Sequence, residues 1–252
     1  MLRKINHTHE FSYSLVNNYE GWLNSESDFN RYYGNSENPP AFEDFELSRK
    51  LQFYSQLFKI NIKPEYEQDN TNLLLGKEFE KLLNKCKKVN EFKFENNRKE
   101  MFRVVLNDDF YNLIDNRNRK APRQQVEIKG VLPNGLNFIG YADEVYENCI
   151  IDIKTTSNFS KSNYDTSLQI PLYLHFIPDY LVRRGFYQVT EFYRSKAAGK
   201  NEFTMKDTFM IESQLITESQ LTKFSDMCAE ILKNVSVFEK DVENYLMYFD
   251  EN

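Results

Sequence analysis

Gly140-Tyr141-Ala142-Asp143-Glu144-Val145-Tyr146-Glu147-Asn148-Cys149-Ile150-Ile151-Asp152-Ile153-Lys154-Thr155 reads as two period-two strands around a short polar turn. If Glu147 and Asn148 form the turn, Tyr146 pairs with Cys149, and counting back along both arms sets Asp143 opposite Asp152. Directly opposed side chains in an antiparallel pair have Cβ atoms roughly 4.5–5.5 Å apart, and like charges there are destabilising. A divalent cation held between the two is the obvious compensation, since hard cations take carboxylate oxygens and keep several waters. Strand alternation places Lys154 on the face of Asp152 and sends Ile151 and Ile153 to the other, towards a core. An ammonium beside a metal-activated water suits the charge that grows on a reacting phosphate.

Working outward, the hairpin's first arm extends from Asn137 to Tyr146 and its second from Cys149 to Thr155. An earlier strand, Gln125 to Leu132, precedes the turn Pro133-Asn134-Gly135. Downstream, Asp165 to Ile177 has helical spacing and is ended by Pro178. Two further strands are expected at Gly185 to Arg194 and Glu202 to Ile211, joined by a loop through Ala197 to Lys200. Thr217 with Gln220 makes a capping-box pattern for a helix towards Asn234, and a last helix is expected over Val237 to Phe249. Upstream, helices are expected at Ser12 to Leu23, with Ser14 as a cap, at Ala41 to Phe58, at Asn72 to Lys88 behind Asn70 or Thr71, and at Lys99 to Asp115. Asn24 to Pro40 is polar and reads as a loop, and Pro64 interrupts or follows the second helix. The fold class is α/β of the mixed α+β kind: a central mixed β-sheet flanked by helices.

Composition narrows the function classes. Three cysteines, Cys86, Cys149 and Cys228, are too few and too scattered for a four-thiolate zinc or iron-sulfur site. No apolar run reaches bilayer length and Met1-Leu2-Arg3-Lys4 leads into no apolar stretch, so no membrane segment and a cytoplasmic location are expected. The formal net charge of -6 gives no bulk attraction for nucleic acid, so any DNA contact has to use a local basic groove.

Asp-x-Lys or Glu-x-Lys alone is a weak signal: Glu91-Phe92-Lys93 and Glu127-Ile128-Lys129 also match it. Asp152-Ile153-Lys154 differs by having an acid in register on the neighbouring arm. Two further elements fit beside it. Gly76 is followed four residues later by Glu80, which offers a third carboxylate. Gln169 and Tyr173 lie four apart on one helix face, and an amide and a phenol suit phosphate or sugar contact. The basic run Arg117, Arg119, Lys120 and Arg123 is open to two readings, a solvated loop or phosphate contact. Arg183-Arg184, and Arg194 with Lys196 and Lys200, are equally open between a solvated rim and a DNA groove. His175 reads as a partly buried helical histidine and His7 with His9 as a terminal segment. Tyr187, Phe192 and Tyr193 read as core before base-stacking.

The order Gly76-x-x-x-Glu80, Gly140-Tyr141-Ala142-Asp143, Asp152-Ile153-Lys154, Gln169-x-x-x-Tyr173 resembles the four motifs of the RecB-like nucleases. That branch of the PD-(D/E)XK superfamily includes lambda exonuclease, and the likeness spans about Leu73 to Ile177. The resemblance implies an αβββαβ restriction-endonuclease-like core with helical N- and C-terminal extensions. It implies that Asp143 and Asp152 bind Mg²⁺ or Mn²⁺ with help from the Ile153 carbonyl and Glu80, that Lys154 orients or activates the attacking water, and that Gln169 and Tyr173 organise the site and the DNA backbone. Many relatives carry His where this chain has Glu80. A single nuclease domain is expected, with 1–70 an N-terminal extension, 71–211 the catalytic core and 212–252 C-terminal helices. The expected activity is metal-dependent hydrolysis of linear or single-stranded DNA, exonucleolytic before endonucleolytic, in phage or mobile-element replication, recombination or repair. A recombination or replication protein would be its partner. The alternatives are an inactive DNA-binding or assembly protein of the same fold and a sequence- or structure-specific endonuclease.

Overall fold

The period-two stretches form one mixed sheet in the computed structural model, which describes residues 10–60, 70–179, 181–195 and 201–250, with side chains to 246. The strands are β1 (Glu10–Phe11), β2 (Glu91–Glu95), β3 (Met101–Val105), β4 (Arg123–Val131), β5 (Asn137–Val145), β6 (Cys149–Thr156), β7 (Arg184–Arg194) and β8 (Glu202–Glu212). Their order is β1-β5-β6-β7-β8-β3-β2, with β4 against β5. Pairs β5–β6, β7–β8 and β2–β3 are antiparallel, while β6–β7, β3–β8 and β1–β5 are parallel. The helices are α1 (Tyr13–Leu23), α2 (Ser25–Tyr33), α3 (Phe42–Phe58), α4 (Thr71–Asn84), α5 (Asp108–Lys120), α6 (Ser162–Asp165), α7 (Gln169–Phe176) and α8 (Glu218–Asp250). The mixed α/β class is therefore the observed one. No helix among the described residues is long and apolar enough to cross a membrane.

The chain divides into two compact units: Met1–Tyr66 with Lys129–Gly140 and Thr217–Asn252, and Glu67–Ile128 with Tyr141–Ile216. The first has an aromatic centre in which Tyr19, Trp22, Phe53, Tyr54 and Phe238 pack at stacked, tilted and edge-on angles. Ser12, not Ser14, caps α1 by accepting from Leu15 N–H. In the same unit Thr217 and Gln220 close the expected capping box, Gln220 N–H donating to Thr217 Oγ1 and Thr217 N–H to Gln220 Oε1.

The second unit holds the hairpin. On one side of its sheet, Leu75, Phe79 and Leu83 of α4 and Phe110 and Ile114 of α5 pack with Phe102, Phe192 and Phe203, and Ile153 joins them. On the other, Ile170 of α7 packs with Tyr187, Val189 and Ile211. Gly185 has no room for a side chain, because a Cβ there would collide with Ile170 Cγ2, and this close approach seats α7 on β7.

Several expectations are corrected. The helix read over Lys99 to Asp115 is β3 followed by α5: Phe102 and Val104 are fully buried while Met101 and Arg103 are exposed, a period of two. Asn107 then caps α5 by accepting from Asp109 N–H. The helix ending at Lys88 stops at Asn84 and leaves β2, which had no expected counterpart. The loop Asn24 to Pro40 contains α2, whose Phe29 and Tyr33, four apart, pack on Phe45 of α3. The helix expected over Asp165 to Ile177 is the shorter α7, and α6 ends where it was to begin. The two C-terminal helices are one, since Asn234-Val235-Ser236 holds neither Gly nor Pro to break it. Pro64, His7, His9, Lys196 and the loop Ala197 to Lys200 lie outside the described residues.

Candidate active site

Tyr146 N–H donates to Cys149 O and closes the turn at Glu147-Asn148. Val145 pairs with Ile150 and Glu144 with Ile151, so Asp143 and Asp152 occupy the next rung. There the ladder stops. The following hydrogen-bonded rung would join Ala142 to Ile153, but Ile153 N–H donates to Asp143 Oδ2 at 2.8 Å. A side-chain carboxylate takes the place of a main-chain carbonyl, and the strands part at the acids. Ile153 thus contributes its N–H to the site, while its side chain lies in the core on the opposite face.

Asp152 is 1% exposed. Its Oδ1 accepts from Gln169 Nε2 at 2.7 Å. Its Oδ2 lies 2.8 Å from Lys154 Nζ; this is an ion contact without hydrogen-bond angles, and the buried oxygen has no other partner. Gln169 Nε2 also donates to Tyr173 OH at 3.2 Å, so the i,i+4 pair on α7 reaches the carboxylate as one unit. Burial pushes the Asp152 acid up to about 6; the Lys154 charge opposes this and the Asp143 charge adds to it. Burial works against the Lys154 ammonium, but the Asp152 carboxylate outweighs it and holds the amine above its ordinary range.

Glu80 arrives from α4, where Gly76 lets the helix approach β6: a Cβ on Gly76 would stand 2.8 Å from Thr155 Oγ1. The link between Glu80 and Asp143 is Gln125, whose Nε2 donates to Glu80 Oε1 at 3.0 Å and to Asp143 Oδ1 at 3.2 Å. Burial raises the Glu80 acid, and the Asp143 charge raises it further. Sequence reasoning passed over Gln125. Its signal is in the backbone: φ is 49°, in the left-handed region that a non-glycine residue enters at a cost.

The structure therefore brings Asp143, Asp152, Lys154, Glu80, Gln169 and Tyr173 into one hydrogen-bonded and ionic cluster, with Gln125 added. Among the described residues no three His, Cys, Asp or Glu side chains make a ready coordination sphere. The reason is visible: Gln125, Gln169, Lys154 and Ile153 N–H take up carboxylate oxygens. The donor set nevertheless fits a hard cation. Asp152 Oδ2 is buried and met only by the exchangeable Lys154 ammonium, a second carboxylate stands across the splayed strands, and Mg²⁺ needs only one or two carboxylates because it retains waters.

Other candidates fall elsewhere. His175 is exposed, not partly buried, and lies edge-on to Phe176. Tyr187 and Phe192 are core, whereas Tyr193 is half exposed. Arg184 pairs with Glu212 and Arg194 lies over Phe102. Arg117, Arg119 and Lys120 end α5 instead of forming a loop, and Arg117 is buried against Glu144. Of the two decoy tripeptides, Glu127 accepts from Tyr141 OH and Glu91 pairs with Arg103.

No protein-family model matches the chain, and comparison with curated proteins gives no match. Among solved structures it is similar to the crystal structure of SSO0001, at 11% identity and a TM-score of 0.42, over 91% of this chain and 79% of that one.

Proposed function

We propose that this chain is a Mg²⁺- or Mn²⁺-dependent DNA nuclease of the PD-(D/E)XK type, hydrolysing phosphodiester bonds at the cluster around Asp152. One observation carries the reading: a fully buried carboxylate whose Oδ2 meets only the Lys154 ammonium, across a hairpin from a second carboxylate. Burying a carboxylate beside further acids costs several kcal/mol unless neighbours replace its lost solvation, which a residue kept only for stability would avoid. When bound, the cation supplies Lewis acidity towards a phosphate oxygen and acidifies water.

Asp143 and Asp152 are its holders, and Glu80 adds a third carboxylate through Gln125. Gln169 fixes the rotamer of Asp152, and Tyr173 fixes Gln169. Lys154, charged across the neutral range, orients the attacking water and offsets charge developing on the phosphate. An exonuclease acting on linear DNA ends in phage or mobile-element recombination, in the cytoplasm, is the form we propose; this part rests on the resemblance to lambda exonuclease.

The test is cleavage of end-labelled linear, closed circular and single-stranded DNA with Mg²⁺ or Mn²⁺, with and without chelator. Metal-dependent loss of the linear substrates alone is the expected result. Cutting of closed circles would replace exonuclease by endonuclease, and intact DNA in every arm would overturn the proposal.

A further inference from the structure

On the face of β6 and β7 opposite Asp152 there is a cleft of about 650 Å³. Ile151 lines it, one residue from Asp152 and so on the other side of the strand, and so does Gln188, which pairs with Ile153. Its lining carries three cations, Arg117, Arg119 and Lys120, against one carboxylate, the exposed Glu147. Two residues of its lining carry a buried donor with no acceptor, Arg117 Nη2 and Gln188 Nε2, and these residues are 2% and 3% exposed.

The charge on Arg117 is partly met, since its Nε donates to Glu144 Oε1. Glu144 has nothing left for Nη2, because Oε2 accepts from Tyr146 OH. Both orphans ask for an acceptor, and two further cations stand at the same cleft. Water would accept from the two donors and leave the surplus charge; an anion does both. A guanidinium, an amide and two flexible cations around one space form the donor set that surrounds a tetrahedral oxyanion. The volume lies within the ordinary range for small-molecule sites, about 300–1,000 Å³.

We propose that this cleft is a binding site for a terminal phosphate group, taken either as the free ion or as the 5′-phosphate of a mononucleotide. Arg117 and Gln188 hold its oxygens from the floor, and Arg119 and Lys120 close on it from the end of α5. The site stands apart from the carboxylate cluster and holds whether or not the chain cuts DNA.

Isothermal titration and thermal shift of the full chain, in chelator so that no cation occupies the carboxylate side, test it. The ligands are inorganic phosphate, deoxyadenosine 5′-monophosphate and deoxyadenosine. Gln188→Met replaces an unbonded amide with an apolar side chain of like size, a change that buried unsatisfied groups tolerate. Arg119→Ala with Lys120→Ala alters only exposed positions. Binding of both phosphate ligands and not of the nucleoside is expected, weakened about tenfold in Gln188→Met, the loss of one charge-assisted hydrogen bond, and more than tenfold in the double variant, which removes two cations. Tighter binding of the mononucleotide than of phosphate would assign the nucleotide as the source, and equal binding the free ion. Failure of both to bind, or binding unchanged in both variants, would overturn the proposal.

Discussion

Glu144 and Asp152 sit on opposite faces of one hairpin, 0% and 1% exposed, and their surroundings differ. Glu144 has a partner for each oxygen, the guanidinium of Arg117 at 2.5 Å and the phenol of Tyr146 at 2.9 Å. Asp152 has one hydrogen bond, from Gln169, and an ion contact of Oδ2 with the half-exposed Lys154 ammonium. Equal burial therefore accompanies unequal compensation. Taking a carboxylate out of water costs several kcal/mol unless neighbours replace the lost solvation. Around Glu144 they do so, and around Asp152 they stop short, with further acids nearby. A buried acid left under-compensated on a face that also holds Asp143 and Glu80 is poised for a cation, whereas the compensated acid holds α5 to the sheet.

The largest expected effect breaks the comparison on the Asp152 side. Asp143→Ala or Asp152→Ala should lower metal-dependent cleavage by about 10²–10³-fold, the scale for removing a transition-state stabilising group. The same substitutions should abolish the thermal stabilisation given by Mn²⁺. Cleavage within tenfold of the parent in either variant would move the chemistry elsewhere.

On the Glu144 side, Arg117→Met leaves a buried carboxylate without its counter-charge and should lower stability by about 3–5 kcal/mol in urea unfolding. A loss below about 1 kcal/mol would show that Tyr146 suffices and that the two faces are less different than their geometry.

A pH series sharpens the contrast. The Asp152 acid is raised from 3.8 to about 6, so between those values the folded chain holds a proton that the unfolded chain has lost. In the cation-free protein this contribution is fully present below 3.8 and is lost as pH rises through about 6. Asp152→Asn removes that dependence. The stability of the parent relative to Asp152→Asn should therefore fall by on the order of 2 kcal/mol between pH 4 and pH 7. Stabilisation by Mn²⁺ should run the other way, growing above about pH 6 as the competing proton leaves. A flat difference would mean that Asp152 is as well compensated as Glu144.

The smallest effect concerns Gln125. Gln125→Ala removes the amide that ties Glu80 to Asp143, and cleavage should fall about tenfold, ~1.4 kcal/mol in the barrier. Chelator-treated protein should show a melting temperature near that of the parent. A large loss of stability instead would make Gln125 a structural residue of β4.

Legibility followed the physics of each region. The hairpin is readable because a two-residue turn and strict alternation fix register by counting, and a shift of one residue would exchange the face of Asp152 for that of Ile153. Gln169 and Tyr173 were readable for a similar reason, four residues on one helix turn. By contrast, β3 is ambiguous in sequence because Met101, Val104 and Val105 fit helical spacing as well as Phe102 and Val104 fit a strand, and only the pairing with β2 and β8 separates the two. Segment α2 was hidden by polar composition, its helix depending on Phe29 and Tyr33 packing on α3.

By itself, the sequence determined the mixed α/β class, the hairpin register and the pairing of Asp143 with Asp152, because local periodicity and a tight turn leave few alternatives. Only the tertiary structure decided that Ile153 N–H goes to Asp143, that Gln125 joins Glu80 to the site, and that Arg117 is spent on Glu144 rather than offered to solvent. Those outcomes depend on which side chains meet across elements distant in the chain, and burial, not spacing, sets what each of them must be paired with.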